Sequence, residues 1–185
     1  MNSVNYPQSP KVYFVTLHVF RHIDFFSNDE YASLFLECLR LYQDEYGLLI
    51  FDWSILTNSV QLIASSQQIP FKTLINDLKK FTTIQLLDAI KFNSSDQRRE
   101  WLLSMFETDI GEERFWKGGF HSRIIHTRSY YSYIQQVMYY NLVNTGLASN
   151  EESYIFSSCA SRLDKKEGQL ELSTFFVQDA NNLIT

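Results

Sequence analysis

Two strand-like segments that follow each other directly restrict the folds open to this chain. The segments LLIFDWSIL (48–56) and SVQLIASS (59–66) are rich in β-branched and aromatic residues. Between them lies only the polar pair Thr57-Asn58. Such a short polar connection is typical of a β-hairpin or a bulged strand pair. The sequence therefore predicts two neighbouring antiparallel strands.

A strand and a helix are predicted before this hairpin. Residues 11–20, KVYFVTLHVF, alternate imperfectly and favour a strand. Ser27 or Asn28 is placed to cap the helix that follows, and Gly47 is placed to end it. One apolar stripe at helical spacing supports that helix. Its members are Tyr31, Leu34, Phe35, Cys38, Leu39 and Tyr42.

Helical patterns also follow the hairpin. Pro70 is placed to open a helix, Ser95 to cap a second one, and Ser129 to cap a last one that ends at Gly146. The apolar face predicted for the first of these helices consists of Leu74, Leu78, Phe81 and Ile84. The segment RFWKGGFHSRIIH is predicted to be a strand or an ordered loop, and QLELSTFF a short strand in the tail.

The order β-α-β-β-α-(α)-β-α predicts an α+β fold. It matches a ferredoxin-like βαββαβ antiparallel sheet with helices on one face plus an extra C-terminal helix. No repeat and no linker rich in Pro or Gly divides the chain. We therefore expect residues 1–185 to form a single domain, with a core at about 11–160 and a C-terminal extension at 161–185.

The net charge of the chain limits the kinds of nucleic-acid-binding protein that it can be. The chain has 16 Lys+Arg, 21 Asp+Glu and a net charge of −5, the wrong sign for a protein that coats nucleic acid non-specifically. Residues 71–130 are mildly basic, so a nucleic-acid site would be a local patch there. No apolar run approaches the roughly 20 residues of a membrane span. With no signal peptide and two cysteines, the predicted compartment is the cytoplasm.

Motifs for common catalytic or cofactor sites are missing from the sequence. GxxxxGK[ST], GxGxxG, CxxC and HExxH do not occur. Cys38 falls on the apolar stripe and is interpreted as a core residue. The histidines His18, His22, His121 and His126 are interpreted as surface or hydrogen-bonded residues. No metal and no cofactor is predicted.

A set of segments between Tyr13 and Ser158 resembles a known family in order and spacing. They are VTLHVF with a following FFS, DWSILTNSVQLIASS, LINDLKKFTT, SSDQRREWLLSMFE, Phe115-Trp116, NLVNTGL and YIFSS. Together they resemble the REP-associated tyrosine transposases, a branch of the single-tyrosine HUH transposases of bacterial insertion sequences. The resemblance implies a bacterial origin and a protein that cuts single-stranded DNA beside small hairpins. It also implies a nucleophilic tyrosine and a divalent metal held by a His-hydrophobic-His strand.

The chain departs from that family pattern at the positions of its chemistry. The metal-binding strand reads Asn58-Ser59-Val60-Gln61, so Ser59 and Gln61 replace both histidines. Val137 occupies the place of the tyrosine, although Tyr133 lies one turn earlier. The leading hypothesis is therefore a catalytically inactive relative of a transposase that retains binding to single-stranded or hairpin DNA.

Basic residues of the middle third are the candidates for that DNA contact. They are Lys72, Lys79, Lys80, Lys117 and Arg123, with Phe81, Trp101, Trp116 and Phe120 interleaved as aromatics that could stack on bases. Taken singly, these aromatics are more typical of a core.

Two alternatives to an inactive DNA-binding protein stay open. One is an assembly or regulatory module without a DNA role, with the tyrosine-rich last helix as a homodimer face. The other is an active nuclease with relocated residues such as Tyr133.

Overall fold

The computed structural model describes residues 10–108, 111–162 and 168–175 of the chain. Its strands are β1 (Val12–His18), β2 (Leu48–Leu56), β3 (Ser59–Ser66) and β4 (His121–Ile125). Its helices are α1 (Asp29–Tyr46), α2 (Phe71–Phe92), α3 (Arg99–Phe106), α4 (Arg128–Asn144) and α5 (Cys159–Arg162). Among these residues, no helix combines the length and apolar character that a membrane span requires.

The sheet has the topology that the sequence predicts. Within the described residues, four antiparallel strands form one sheet in the order β2-β3-β1-β4. The turn at Thr57-Asn58 joins β2 to β3, and β1 lies between β3 and β4. This is the strand order of a ferredoxin-like βαββαβ sheet. The predicted α+β fold class is confirmed.

Helix α1 packs on one face of the sheet and begins and ends as predicted. Asn28 is its N-cap, because the side-chain oxygen of Asn28 accepts a hydrogen bond of 2.9 Å from the backbone N–H of Glu30. Gly47 ends the helix in the left-handed conformation, with φ of 67°. Cys38 is buried, as expected for a core residue.

Helix α2 covers the same face and corrects one prediction. Its buried row advances in steps of four residues through Leu74, Leu78, Thr82, Leu86 and Ile90. Ile84 lies two residues away from this row, on the other side of the helix, and 58% of it is exposed. The prediction that Ile84 belongs to the apolar face is therefore wrong.

The opposite face of the sheet is shaped by a bulge in β2. The strand register shifts between Ile50 and Asp52, so one extra residue enters the strand. Ile50 and Trp53 pack in the core beneath α1 and α2. Phe51 packs in a second core with Ile63. The bulge therefore gives Asp52 to the second face without disturbing the first core.

Helix α4 covers that second face and starts at a different cap from the predicted one. Its buried row includes Ile134, Met138 and Leu142. Thr127 is the N-cap, and its hydroxyl accepts from the backbone N–H of Tyr130 at 3.2 Å. The predicted cap Ser129 is wrong.

The start of helix α3 also differs from the prediction. Ser95 does not cap it, because the helix begins after Arg98, and the backbone N–H of Arg98 donates to the carboxylate of Asp96 at 2.9 Å.

Segments near the C-terminus cover the outer edge of β2. No strand forms in residues 168–175, so the prediction of a strand in QLELSTFF is wrong up to residue 175. Phe176 lies outside the described residues. The backbone bonds to the edge of β2 are Ile55 N–H to Phe156 O (2.9 Å), Ser158 N–H to Trp53 O (3.0 Å) and Ser173 N–H to Ile50 O (2.8 Å).

Candidate functional site

The two positions at which the family resemblance implies metal-binding histidines lie on β3. Ser59 and Gln61 share a face with Ile63, because side chains alternate along a strand. Gln61 stands between Ser54 on β2 and Thr16 on β1, and its side-chain oxygen accepts from the Ser54 hydroxyl at 3.4 Å. The two side chains therefore belong to a polar row on the α4 side of the sheet.

These side chains do not fit the divalent metal that the family resemblance implies. A serine hydroxyl and a glutamine amide are neutral, weak ligands compared with two imidazoles. In the part of the chain that the structure describes, no group of three or more His, Cys, Asp or Glu side chains could hold a metal ion. We assign no chemical step to a metal at Ser59 and Gln61.

Val137 and Tyr133 lie away from the buried row of α4. Tyr131 and Met138 are buried against the sheet. By contrast, 58% of Tyr133 and 36% of Val137 are exposed. The Tyr133 ring stacks on Tyr130, with 6.3 Å between ring centroids. Since successive helix residues are about 100° apart, Tyr133 presents its phenol to the outer side of α4.

A cleft opens on the α4-side face of the sheet where β1 meets β4. Pairing across the two strands places Phe14 opposite Arg123 and Thr16 opposite His121. His18 is the next residue of β1 on this face. The segment 117–120 closes the end of the cleft, which has a volume of about 560 Å³. Residues that are distant in sequence therefore form one concave surface of basic and aromatic side chains.

His18 has an unusual environment at the inner end of this cleft. Burial lowers the pKa of His18, and the nearby charges of His22 and Lys117 lower it further. The His18 and His22 rings approach to 5.2 Å because the chain turns between them, with φ of 54° at Arg21 and 53° at His22. Among the described residues, His18 Nδ1 is buried without a hydrogen-bond partner. No local sequence pattern predicts that His18 or His121 belongs to a site.

Lys79 holds the loop that borders the cleft. Its ammonium donates to the backbone oxygens of Lys117, at 2.9 Å, and Gly119, at 2.7 Å. Burial lowers the pKa of Lys79. Trp116 anchors the same loop, because its indole N–H donates to the hydroxyl of Thr82 at 2.9 Å. Helix α2 therefore positions the segment 117–119 from below.

The structure separates the remaining predicted contact residues. Lys117 and Arg123 line the cleft, whereas Lys80 lines a neighbouring groove and Lys72 lines neither of them. The aromatics divide in the same way, since Phe120 lines the cleft and Trp116 is buried in the core.

The other two candidate aromatics lie elsewhere. Half of Trp101 is exposed on α3. Phe81 packs against Tyr42, with 5.7 Å between ring centroids.

A buried polar network around Asp52 lies on the same face of the sheet. Asp52 is fully buried, and side chains from α4 and the C-terminal segments donate hydrogen bonds to its carboxylate. The donors are Tyr131, Gln135 (3.0 Å), Tyr139, Ser158 (3.1 Å) and Arg162 (3.3 Å). Arg162 also donates to the backbone oxygens of Phe51 and Ser173. The network therefore ties α4, α5 and residue 173 to β2.

The tyrosines of this network keep their protons. Burial raises the pKa of Tyr131 and Tyr139, and the negative charge of Asp52 raises both further. A neutral phenol donates to the carboxylate, whereas a phenolate would repel it. Asp52 and both phenols are buried, whereas 27% of the Arg162 side chain is exposed. The network holds α4 on the sheet.

We expect stability to fall at alkaline pH because buried tyrosines resist ionisation. Burial raises the pKa of Tyr31 and Tyr154 to about 12, and a hydrogen bond to Asp96 contributes at Tyr31. Unfolded tyrosine ionises near pH 10, so the stabilisation is complete below about pH 10 and is lost as pH rises towards about 12. Urea midpoints measured across this range should decrease. The decrease should be smaller in Tyr139→Phe, because this variant removes another tyrosine with a raised pKa. In the exposed control Tyr133→Phe, the decrease should equal that of the unchanged protein. A urea midpoint that stays constant over this pH range would contradict the prediction.

The fold of this chain is similar to folds of known proteins. No family model and no curated protein matches the chain. A solved structure of a REP-associated tyrosine transposase bound to a REP hairpin is similar, with a TM-score of 0.61, 15% identity and 96% of each chain covered. A structure from Deinococcus radiodurans R1, provisionally named a transposase, has a TM-score of 0.46 and 11% identity over 75% of this chain and 95% of that one. The first likeness shows that the fold is shared over nearly the whole chain.

Proposed function

We propose that this protein binds single-stranded or hairpin DNA in the cleft between β1 and β4, and that it does not carry out metal-dependent strand cleavage. The observation that carries the proposal is the lining of the cleft. Lys117, Arg123 and the two histidines provide donors for phosphate oxygens, while Phe14 and Phe120 provide faces for unpaired bases.

The local charge supports a nucleic acid ligand despite the net charge of −5. No carboxylate lines the cleft, within the described residues. Neither Lys117 nor Arg123 has a carboxylate partner within ion-pair distance in the described part of the chain. Unpaired cations beside partly exposed rings are the arrangement that single-strand binders use. The similar fold of a protein bound to a REP hairpin agrees with this ligand class.

The side chains at the family's catalytic positions support the absence of cleavage. Ser59 and Gln61 supply neutral oxygens where two imidazoles would hold the metal. Val137 has no nucleophilic atom, and the phenol of Tyr133 lies on the outer side of α4. A protein with these substitutions retains a surface for DNA but lacks the groups that would break a phosphodiester bond.

A titration with matched oligonucleotides tests the proposal. We expect micromolar binding at low salt to a stem-loop with an unpaired flank and to a single strand, and weaker binding to a blunt duplex. The logarithm of the affinity should fall with the logarithm of salt concentration by about 0.7 for each phosphate contacted on a single strand. Absence of binding at low salt would overturn the proposal.

The same oligonucleotides, incubated with magnesium or manganese, test the chemistry. We expect the DNA to stay intact and no covalent protein–DNA adduct to form. An adduct would show that another residue acts as the nucleophile.

A further inference from the structure

A second basic groove lies on the other side of the loop 117–119. It runs between α2 and the segment 113–118 and has a volume of about 320 Å³. Lys80 and Arg114 line this groove, and Lys117 lines both the groove and the cleft. The two concave surfaces are therefore continuous around Lys117.

The charge of the groove is positive in spite of one acidic residue. Glu113 lines it, but the Glu113 carboxylate already pairs with Lys91 at 2.9 Å. Lys80 is exposed and has no ion-pair partner among the described residues. Arg114 is also exposed, with its guanidinium 5.6 Å from the ring centroid of Phe20. Both cations are available to phosphate oxygens.

The loop between the cleft and the groove leaves space above its backbone for a nucleic acid strand to cross. Gly118 and Gly119 are exposed, and a Cβ built on either residue would meet no atom within 4 Å. Gly119 has φ of 65°, which favours glycine at this position. Lys79 fixes the loop from below through its bonds to two carbonyls. The crossing point is consequently open above and rigid beneath.

We infer that a single strand bound in the cleft continues over Gly118-Gly119 into the groove, where Lys80 and Arg114 bind its phosphates. This inference rests on the proposed function and adds the path of the strand. Backbone contacts of this kind carry affinity without base specificity, because lysine and arginine meet phosphate oxygens that every nucleotide has. The cleft alone would take a short segment, and the groove extends the site for a longer one.

Binding measured at two oligonucleotide lengths tests the path. Single strands of about 4 and about 12 nucleotides would be titrated, a short and a longer length within the range of common site sizes. For the long strand, Lys80→Glu with Arg114→Glu should lower the affinity by about tenfold or more, as expected for lost charge-assisted bonds. It should also reduce the salt slope by about 0.7 per contact. For the short strand, the loss should be severalfold at most, because only the general field of the protein changes.

Controls separate failure of the path from failure of the proposed function. Lys72→Glu changes an exposed lysine of the same helix that lines neither surface, so it should leave both affinities nearly unchanged. Lys80→Glu alone leaves Arg114 beside Phe20 and should give part of the loss. Three outcomes would contradict the proposed path but not the proposed binding in the cleft. They are an equal loss of affinity for both lengths, no loss for the long strand, and an equally large loss in Lys72→Glu. If the unchanged protein binds neither strand, the proposed function itself fails.

Discussion

Replacing Asp52 by alanine is expected to lower the free energy of unfolding by about 3–5 kcal/mol, the usual cost of removing one partner from a buried ion pair. The carboxylate is fully buried and accepts bonds from Tyr131, Tyr139 and Arg162. Without it, the buried hydroxyl of Tyr131 loses its acceptor, the guanidinium of Arg162 loses its counter-charge, and α4 loses its polar attachment to β2. Chemical denaturation should measure this loss of unfolding free energy. Thermal unfolding should show a fall in Tm of about 2–4 °C per kcal/mol for a chain of this size.

Two further variants identify the cause. Asp52→Asn keeps an acceptor oxygen but removes the charge opposite Arg162, so a smaller loss of about 1.5–3 kcal/mol is expected. Asp44→Ala, on the exposed side of α1, is the matched control and should change stability by less than about 0.5 kcal/mol. If Asp52→Ala cost no more than Asp44→Ala, the network would not hold α4.

Reversing the charges of both cationic side chains of the cleft should reduce DNA affinity most strongly. For Lys117→Glu with Arg123→Glu we expect a loss of about 100-fold or more, because each lost charge-assisted hydrogen bond costs about 1.5–3 kcal/mol. Repulsion between the new carboxylates and phosphates adds to the loss. Fluorescence anisotropy with a labelled single strand measures the effect, and circular dichroism confirms that both exposed substitutions leave the fold intact.

The control for this variant carries the same change in net charge elsewhere. Lys11→Glu with Lys72→Glu reverses two exposed lysines that do not line the cleft. We expect a loss of severalfold at most at low salt, from the general field of the protein. Equal losses in the two double variants would mean that the cleft is not the binding surface.

The sheet could be predicted from the sequence because its signals are local. The Thr57-Asn58 turn fixes the β2–β3 pair, and Asn28 and Gly47 mark both ends of α1. Apolar spacing was less reliable for Ile84, because several rows of a long helix contain apolar residues and packing decides which row is buried.

The cleft could not be predicted in the same way because it joins distant segments. Phe14 and His18 come from β1, whereas His121 and Arg123 come from β4, and strand register alone places them side by side. Lys117 and Arg123 were identified by charge, but the same criterion also selected Lys79, Lys80 and Lys72, because charge does not reveal which cations share a surface.

Asp52 was missed although the sequence contains a signal for it. It is an acidic residue inside the apolar run LLIFDWSIL, and a charge in a buried strand requires partners elsewhere. Those partners lie about 80 to 110 residues later in the chain, as the bonds to Tyr131 and Arg162 show. No local pattern connects the two regions.

The covered edge of β2 has a consequence for self-association. A long apolar strand with unpaired backbone groups at a sheet edge is a template on which another chain can add by strand pairing. In β2 the backbone groups of Trp53 and Ile55 are already bonded to the 156–158 segment. This capping blocks recruitment of a second copy along the most hydrophobic strand of the sheet, and so protects against fibril-like growth there.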